Sequence, residues 1–167
     1  MIITVEPASQ LDYPVLANLL QLYLHDFSVL GGPPIGADGR FDYPRLEAYW
    51  FEKGRYPFLI WADGNLAGFV LVAERQLLEP DADPPEIGHE VVEFFVVRGL
   101  RRRGVGAAAA GELFAQFPGR WWVGELTSNE PAIAFWRRVI GDITRRVYDE
   151  EGWQRGGQRG IVQIFTV

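Results

Sequence analysis

The sequence predicts a mixed α/β fold, in which one sheet carries helices on both faces, and three observations support this prediction. Residues 90–125 read as a strand, a loop, a helix and a strand, which is the order of a parallel strand pair joined by a crossover helix. The tetrapeptide Ala62-Asp63-Gly64-Asn65 separates two apolar runs and predicts the tight turn of an antiparallel hairpin. Between residues 15 and 23, apolar side chains recur at helical spacing.

The first third of the chain is predicted to contain a strand, a helix, a loop and a second helix. In order, these elements cover residues 2–5, 11–27, 28–41 and 42–52. Pro14 and Pro44 each suit the first turn of a helix, and Asp42 is a suitable N-cap for the second one. The loop is expected because its segment is rich in glycine and proline.

The rest of the chain is predicted to alternate strands with two further helices. The strands are expected at 57–61, 66–74, 86–97, 121–126, 142–148 and 161–167, and the helices from 104 to 117 and from a cap at Ser128 or Asn129 to about Val139. The segments 76–85 and 151–160 are expected to be polar loops. A chain of 167 residues fits a single domain, residues 1–167, which buries roughly 70% of the surface of the unfolded chain.

Composition and charge exclude several classes of function. The formal net charge is −6, which argues against nucleic acid as the main partner. The chain has no cysteine, so disulfides, zinc–thiolate sites and cysteine nucleophiles are excluded, and no metal is expected. No apolar run reaches the ~18 residues of a membrane span, and the first residues do not resemble a signal sequence. We therefore expect a cytoplasmic protein with no membrane partner.

The segment 93–110 carries the main functional prediction. Gly104 and Gly106 have no side chain, so a phosphate group can approach the backbone closely there. The first N–H groups of the helix that follows have no partner inside the helix and lie at the positive end of its dipole. Three consecutive arginines, 101–103, add positive charge. The segment therefore predicts the binding of a phosphate-bearing ligand.

Two motifs resemble those of a known family. The run Arg101-Arg102-Arg103-Gly104-Val105-Gly106, directly after an apolar strand, resembles the Gln/Arg-x-x-Gly-x-Gly/Ala signature of the GNAT superfamily of acyl-CoA N-acyltransferases. A second run, Asn129-x-x-Ala132-Ile133-Ala134-Phe135-Trp136, is similar to the Asn-x-x-Ala-x-x-φ-Tyr segment of that family. In element order the resemblance covers residues 2–167. It implies a mostly antiparallel central sheet of about six or seven strands, and transfer of an acetyl group from acetyl-CoA to an amine.

The resemblance also implies where acetyl-CoA binds. The pantetheine arm is expected on the backbone of the central strand, the pyrophosphate on the amides of residues 102–107, and the family asparagine, which often contacts the cofactor arm, corresponds to Asn129. The residues expected to bind acetyl-CoA are Phe94, Phe95, Val96, Arg101, Arg102, Arg103, Gly104, Val105, Gly106, Ala107, Asn129 and Trp136.

Two glutamates are candidates for the catalytic base. An amine with a pKa near ~10 must lose its proton before it attacks, so the site needs a base. Glu90 aligns with the central-strand glutamate that acts through water in histone-acetylating members of the family. Glu93 is nearer the thioester end, and its charge is costly to bury among apolar neighbours without a task or a partner. Strict alternation puts the two on opposite faces unless the strand is bulged, and we slightly favour Glu93. For either glutamate, the alternative to a catalytic role is a structural ion pair with an arginine such as Arg98, and the two are weighted equally.

One position departs from the family pattern. The family usually has a tyrosine where this chain has Trp136, and that tyrosine is thought to protonate the leaving thiolate. Indole cannot act as an acid at neutral pH. Either another group, such as Tyr23 or Tyr148, takes this role, or the thiolate leaves unassisted.

The acceptor is expected to bind at the first two helices and the loop between them. There the resemblance implies contacts from Tyr23, His25, Asp26 and the Gly-Pro loop 31–36. Carboxylates that favour a cationic small-molecule or peptide amine are Asp26, Glu79, Asp81, Asp83, Glu90 and Glu93. The alternative function is a non-catalytic module that binds or senses acyl-CoA. The sequence leaves open whether the chain forms a homodimer.

Overall fold

The computed structural model describes residues 1–76 and 87–167, which contain seven strands and four α-helices. The strands are β1 (Ile3–Pro7), β2 (Arg55–Ala62), β3 (Asn65–Gln76), β4 (Ile87–Val96), β5 (Arg120–Leu126), β6 (Asp149–Arg155) and β7 (Gln158–Thr166). The helices are α1 (Tyr13–Phe27), α2 (Ala48–Phe51), α3 (Val105–Gln116) and α4 (Glu130–Ile143). Short 3-10 helices cover Gln10–Asp12, Ser28–Leu30 and Arg98–Leu100.

The strands form one mixed sheet with the order β1-β2-β3-β4-β5-β7-β6. β1 pairs with β2, β5 with β7 and β6 with β7, all antiparallel. β4 and β5 are parallel, with His89 opposite Trp121 and Val91 opposite Val123. The predicted mixed α/β sheet and its parallel pair are therefore confirmed.

The chain divides into two compact units. The first comprises residues 1–71 and 93–106, and the second comprises residues 72–92 and 107–167. The single domain predicted for residues 1–167 stays a prediction.

The core of the first unit forms between α1 and the strands of that unit. Leu16, Leu20 and Leu24 recur every four residues on α1 and are all buried, as the helical period requires. They belong to one cluster with Phe69 on β3 and Phe95 on β4. A Cβ atom on Gly68 would lie 1.9 Å from the carbonyl oxygen of Phe95, so β3 approaches β4 at a point where only glycine fits.

The second unit has a core of aromatic and branched side chains. Phe114 on α3 packs edge-on against Trp121 on β5, with ring centroids 4.7 Å apart, and against Phe165 on β7 at 5.1 Å. Trp136 and Ile140, one turn apart on α4, are buried in the same unit. α4 begins after Asn129, whose side-chain oxygen accepts a hydrogen bond from the N–H of Ala132.

Three predicted segments are wrong. The helix expected over 42–52 is reduced to the four residues of α2, because Arg45 has a φ of 65°, which no right-handed helix contains. The strand expected over 142–148 is absent because α4 continues to Ile143. The last hairpin instead uses β6 and β7 with Gly156-Gly157 at its turn, where a loop was expected. β6 was not predicted as a strand because its residues are mostly polar and exposed, so they carry no hydrophobic pattern.

The hairpin predicted at Asp63-Gly64 is confirmed. Both residues have positive φ, 49° and 75°, as a type I′ turn between β2 and β3 requires. In the part of the chain that the structure describes, no helix is long and apolar enough to cross a membrane.

Candidate active site

Glu93, near the end of β4, accepts hydrogen bonds from two tyrosine hydroxyls. Tyr23 on α1 donates to Oε2, and Tyr43, in the segment before α2, donates to Oε1 over 3.1 Å. The tyrosines are 70 and 50 residues away from Glu93 in the sequence, and all three residues belong to the first unit. The fold therefore builds a carboxylate–tyrosine cluster that no local sequence motif encodes.

Ring packing holds Tyr23 in position, and hydrogen bonds from the Gln21 side chain hold the segment of Tyr43. The Tyr23 ring packs edge-on against Phe69 and Phe95, with centroids 5.8 and 6.0 Å away. The segment that carries Tyr43 is tied to α1 by Gln21, whose amide nitrogen donates to the carbonyl of Phe41 over 2.9 Å. The N–H of Phe41 donates back to Gln21 over 2.8 Å. The two phenols therefore reach Glu93 from a rigid helix and from a segment fixed to that helix.

Burial dominates the electrostatics of this cluster. It raises the pKa of Glu93 above its ordinary value, and the hydrogen bonds from Tyr23 and Tyr43 oppose that rise. Burial and then the charge of Glu93 raise the pKa of both tyrosines, so the phenols keep their protons at neutral pH. Glu93 is thus a stronger base than an exposed glutamate, and two neutral donors lie beside it.

The loop after β4 leads into α3 through an unusual backbone. Arg102 has a φ of 60° and Gly104 a φ of 84°, and α3 begins at the next residue. A Cβ atom on Gly104 would meet nothing within 4 Å, so the backbone is open to an incoming group there. Within residues 1–76 and 87–167, the N–H groups of Arg102, Arg103 and Gly104 donate no turn or loop hydrogen bond. Backbone N–H groups without a protein partner, beside a residue of positive φ and at the start of a helix, are suited to binding an anion.

The three loop arginines have different surroundings. Arg101 is held by the protein: its Nη2 lies 2.6 Å from Asp26 Oδ2, its Nε donates to the Val96 carbonyl over 2.7 Å, and its guanidinium carbon lies 5.3 Å from the centroid of Phe95. Arg102 and Arg103 are exposed, and neither side chain makes a hydrogen bond or ion pair with the described residues. Arg102 and Arg103 therefore present their charge to solvent without a side-chain partner among the described residues.

A family model decides the class of the protein. The model of the acetyltransferase (GNAT) family matches residues 16–141, which is more than half of the chain. The chain belongs to this family. A search of curated proteins finds no match.

Solved structures that resemble this GNAT chain cover almost all of it. Arabidopsis thaliana NAA60 in complex with acetyl-CoA has a TM-score of 0.63 at 15% identity, covering 99% of both chains. The ribosomal-protein-S18-alanine N-acetyltransferase from Escherichia coli has a TM-score of 0.62 at 14% identity, covering 99% of this chain and 94% of that one. Aminoglycoside acetyltransferase AAC(6')-Ib in complex with coenzyme A has a TM-score of 0.63 at 16% identity, covering 99% and 95%. These likenesses confirm the GNAT fold.

Membership of the GNAT family confirms the predicted enzyme class, an acetyltransferase with acetyl-CoA as its co-substrate. Of the residues predicted to bind it, Phe94, Phe95, Val96 and the loop from Arg101 to Gly106 lie in the first unit with Glu93. Phe95 and Val96 are buried, and the Val96 carbonyl is already engaged by Arg101.

The remaining predicted residues of the GNAT site lie in the second unit. They are Glu90, Ala107, Asn129 and Trp136. Glu90 lies opposite Trp122 in the parallel register of β4 and β5. Trp136 is buried and packs near Phe114, with ring centroids 6.3 Å apart, so its indole contributes to the core of that unit. Tyr148 lines an open cleft of about 570 Å³ together with Arg120 and Arg146.

The predicted acceptor residues have different positions on α1. Tyr23 faces Glu93, whereas His25 is exposed, with its ring 6.4 Å from that of Phe41. Asp26 pairs with both Arg98, at 2.7 Å, and Arg101, at 2.6 Å. Burial of Asp26 raises its pKa, but the hydrogen bonds from these two arginines outweigh that effect and lower it. The negative charge of Asp26 is therefore already compensated within the protein.

Sequence reasoning missed Tyr43. In the sequence, Tyr43 only follows Asp42, which suggested the start of a helix. Its contact with Glu93 joins residues that are 50 positions apart, so no local pattern indicates it. The predicted acidic residues Glu79, Asp81 and Asp83 lie outside the described residues. Among residues 1–76 and 87–167 there is no group of three or more His, Cys, Asp or Glu side chains that would hold a metal ion.

Proposed function

We propose that this GNAT acetyltransferase acetylates a primary amine, with Glu93 as the base and Tyr23 as the acid. The observation that carries the proposal is the hydrogen-bonded cluster of Glu93, Tyr23 and Tyr43 in the same unit as the open N–H groups of the loop after β4. Its raised pKa makes the buried carboxylate a better base than an exposed glutamate, and the phenol in contact with it is placed to relay a proton from it.

The donor is proposed to bind along β4 and its loop. The pyrophosphate of acetyl-CoA would accept hydrogen bonds from the backbone of residues 102–106, with Arg102 and Arg103 neutralising charge. The pantetheine arm would pair with the backbone of Phe94 and Phe95 and with the N–H of Val96, because the Val96 carbonyl already accepts a hydrogen bond from Arg101. Ala107, Asn129 and Trp136 remain predicted contacts.

The proposed transfer is a direct attack. The nitrogen of the neutral amine bonds to the thioester carbonyl carbon, the C–S bond breaks, and the amine proton passes to Glu93. The thiolate leaves with the bonding pair and takes a proton from the Tyr23 hydroxyl, which recovers one from Glu93. Tyr43, which also donates to the carboxylate, would hold Glu93 in place throughout. In this scheme Tyr23 relays the proton from Glu93 to the thiolate and is never left as a phenolate, whereas the indole of Trp136 has no such partner in the scheme.

The acceptor is proposed to be a cationic small-molecule or peptide amine. Proteins with a similar structure include an aminoglycoside acetyltransferase and a ribosomal-protein alanine N-acetyltransferase, whose names specify amine acceptors. The net charge of −6 favours a cationic acceptor, although Asp26 contributes less than expected because its charge is paired. Tyr23 and His25 on α1 are the proposed contacts. A cytoplasmic location and a homodimer remain predictions.

The experiment measures release of CoA thiol from acetyl-CoA across a panel of amines, with the acetylated product identified by mass. The panel contains a polyamine, an aminoglycoside, a lysine peptide and a peptide with a free N-terminal alanine. We expect turnover with at least one cationic amine. Glu93→Gln should lower kcat by about a hundredfold or more, and Glu90→Gln, a matched change on the same strand, should leave kcat nearly unchanged. Equal losses in the two variants would contradict Glu93 as the base, and turnover of neutral acceptors alone would contradict a cationic one.

A second candidate is a module that binds acyl-CoA without transferring the acyl group. Trp136 favours it, because this residue is buried and replaces the family tyrosine that is thought to protonate the thiolate. Binding of CoA with no turnover on any amine would support this candidate. In both cases Arg103→Glu should weaken CoA binding, because it places a negative charge beside the proposed phosphate donors. Unchanged affinity would exclude a phosphate role for that side chain.

A further inference from the structure

Asp26 makes a contact that its predicted role in acceptor binding does not explain. It lies near the C-terminal end of α1, and its side chain is 18% exposed. Its Oδ1 accepts from Arg98 Nε over 2.9 Å and lies 2.7 Å from Arg98 Nη2, and its Oδ2 lies 2.6 Å from Arg101 Nη2. One carboxylate thus holds the guanidinium groups of the first residue of the 3-10 helix Arg98–Leu100 and of the residue that follows this helix.

The Arg101 side chain extends this link to the end of β4. While Nη2 bonds Asp26, Nε donates to the carbonyl of Val96 over 2.7 Å, and the guanidinium lies over the Phe95 ring. Two of the three guanidinium nitrogens of Arg101 therefore donate to protein oxygens, and the guanidinium also contacts an aromatic ring. The next residue, Arg102, adopts the strained φ of 60° that starts the open loop. A strained backbone of this kind persists only where the surroundings hold it.

We propose that Asp26 is a positioning residue for the acyl-CoA loop, acting through Arg101 to hold the N–H groups of residues 102–106 in their phosphate-binding arrangement. This inference rests on the proposed site of acetyl-CoA. It assigns Arg101 to the protein scaffold instead of to the phosphate, and leaves charge neutralisation to Arg102 and Arg103. It also removes Asp26 from the proposed contacts of the acceptor amine.

The two possible roles of Asp26 predict opposite effects on CoA affinity. If Asp26 only adds negative charge near the loop, Asp26→Asn removes that charge, frees two arginines and tightens the binding of an anionic ligand. If Asp26 positions the loop, the same change loosens Arg101 and weakens binding, by about tenfold for the loss of a charged hydrogen-bonded pair. Asparagine has nearly the same shape as aspartate, so the variant should fold.

The test measures the Kd of CoA by calorimetry, and the NMR order parameters of the amides of residues 102–106 without ligand, in the wild type, Asp26→Asn, Arg101→Gln and the double variant. We expect each single variant to weaken CoA binding and to lower the order parameters of the loop, and the double variant to be no worse than the singles. Glu52→Gln is the matched control, because it weakens an exposed ion pair between Glu52 and Arg55 elsewhere in the first unit. It should change neither the Kd of CoA nor the order parameters of the loop.

Three outcomes separate the alternatives. Equal or tighter CoA binding by Asp26→Asn overturns the positioning role. Additive losses in the double variant also overturn it, because they show that Arg101 contacts the ligand independently. Failure of the wild type to bind CoA would instead contradict the proposed site itself, and the order parameters would still report whether Asp26 orders the loop.

Discussion

Replacing Glu125 by glutamine should remove a pH dependence from the stability of the protein. Glu125 lies on β5 and is 6% exposed, and neither carboxylate oxygen accepts a hydrogen bond of normal geometry from the described residues. Burial, and then the charge of Glu150, raise the pKa of Glu125 to about 8 from an ordinary 4.5, while Gln163 and Arg137 oppose the rise. Glu150 is itself paired with Arg137 at 2.6 Å, so its own charge is retained.

The size and sign of the effect follow from the two pKa values. Between 4.5 and about 8 the folded protein holds a proton that the unfolded chain has released. The free energy of unfolding therefore falls as pH rises through this range and is level above it. At ~1.36 kcal/mol per pH unit the full difference is about 5 kcal/mol, and relaxation of the buried site reduces the expectation to roughly 2–5 kcal/mol.

The assay is urea unfolding of the wild type and Glu125→Gln between about pH 5 and about pH 9. The two proteins should be similarly stable at the acidic end, and the variant should be more stable by roughly 2 kcal/mol or more at the alkaline end. Glu112→Gln, a change at an exposed glutamate on α3, controls for the loss of one negative charge. Parallel curves for the wild type and Glu125→Gln would refute the assignment of a buried proton to Glu125.

The further predictions concern two glycines and the residue that caps α4. Gly68→Ala should lower the free energy of unfolding by about 2 kcal/mol or more, because its Cβ would lie 1.9 Å from the Phe95 carbonyl. Gly111→Ala, in the middle of α3 with nothing within 4 Å of the new Cβ, should raise it by about 0.5–1 kcal/mol; thermal unfolding that shifts both variants alike would contradict this reasoning. Asn129→Ala should cost about 1 kcal/mol by removing the cap of Ala132, whereas Asn129→Asp should keep it. If Asn129 also contacts the cofactor arm, calorimetry should find weaker CoA binding by Asn129→Asp; unchanged affinity would leave the residue as a cap alone.

Local signals were sufficient for most of the fold. Asp63-Gly64 predicted the first hairpin because a type I′ turn needs positive φ at both positions, and the structure has it. The helix after Gly104 and the cap at Asn129 were likewise encoded within a few residues. α2 and β6 were mispredicted because a left-handed Arg45 and a polar, exposed strand depend on tertiary contacts and not on local preference.

The candidate site was predictable only in part. Glu93 stood out because a lone carboxylate within an apolar strand needs a partner, but the sequence did not identify that partner. Tyr43 joins Glu93 across 50 residues, and Asp26 joins Arg101 across 75, so neither contact leaves a periodic or local trace. Consequently the loop 101–106 was chosen as the candidate anion site from its own residues, whereas the tyrosine cluster and the Asp26 link required the structure.

The most direct test of the proposed site is a crystal structure of the protein with CoA. We expect the pyrophosphate to lie within hydrogen-bond distance of the N–H groups of residues 102–106, and the thiol end of the pantetheine arm to lie beside Glu93 and Tyr23. Arg101 should keep its contacts with Asp26 and Val96 in the complex. CoA bound with its phosphates away from this loop, or with its thiol remote from Glu93, would contradict the proposed site.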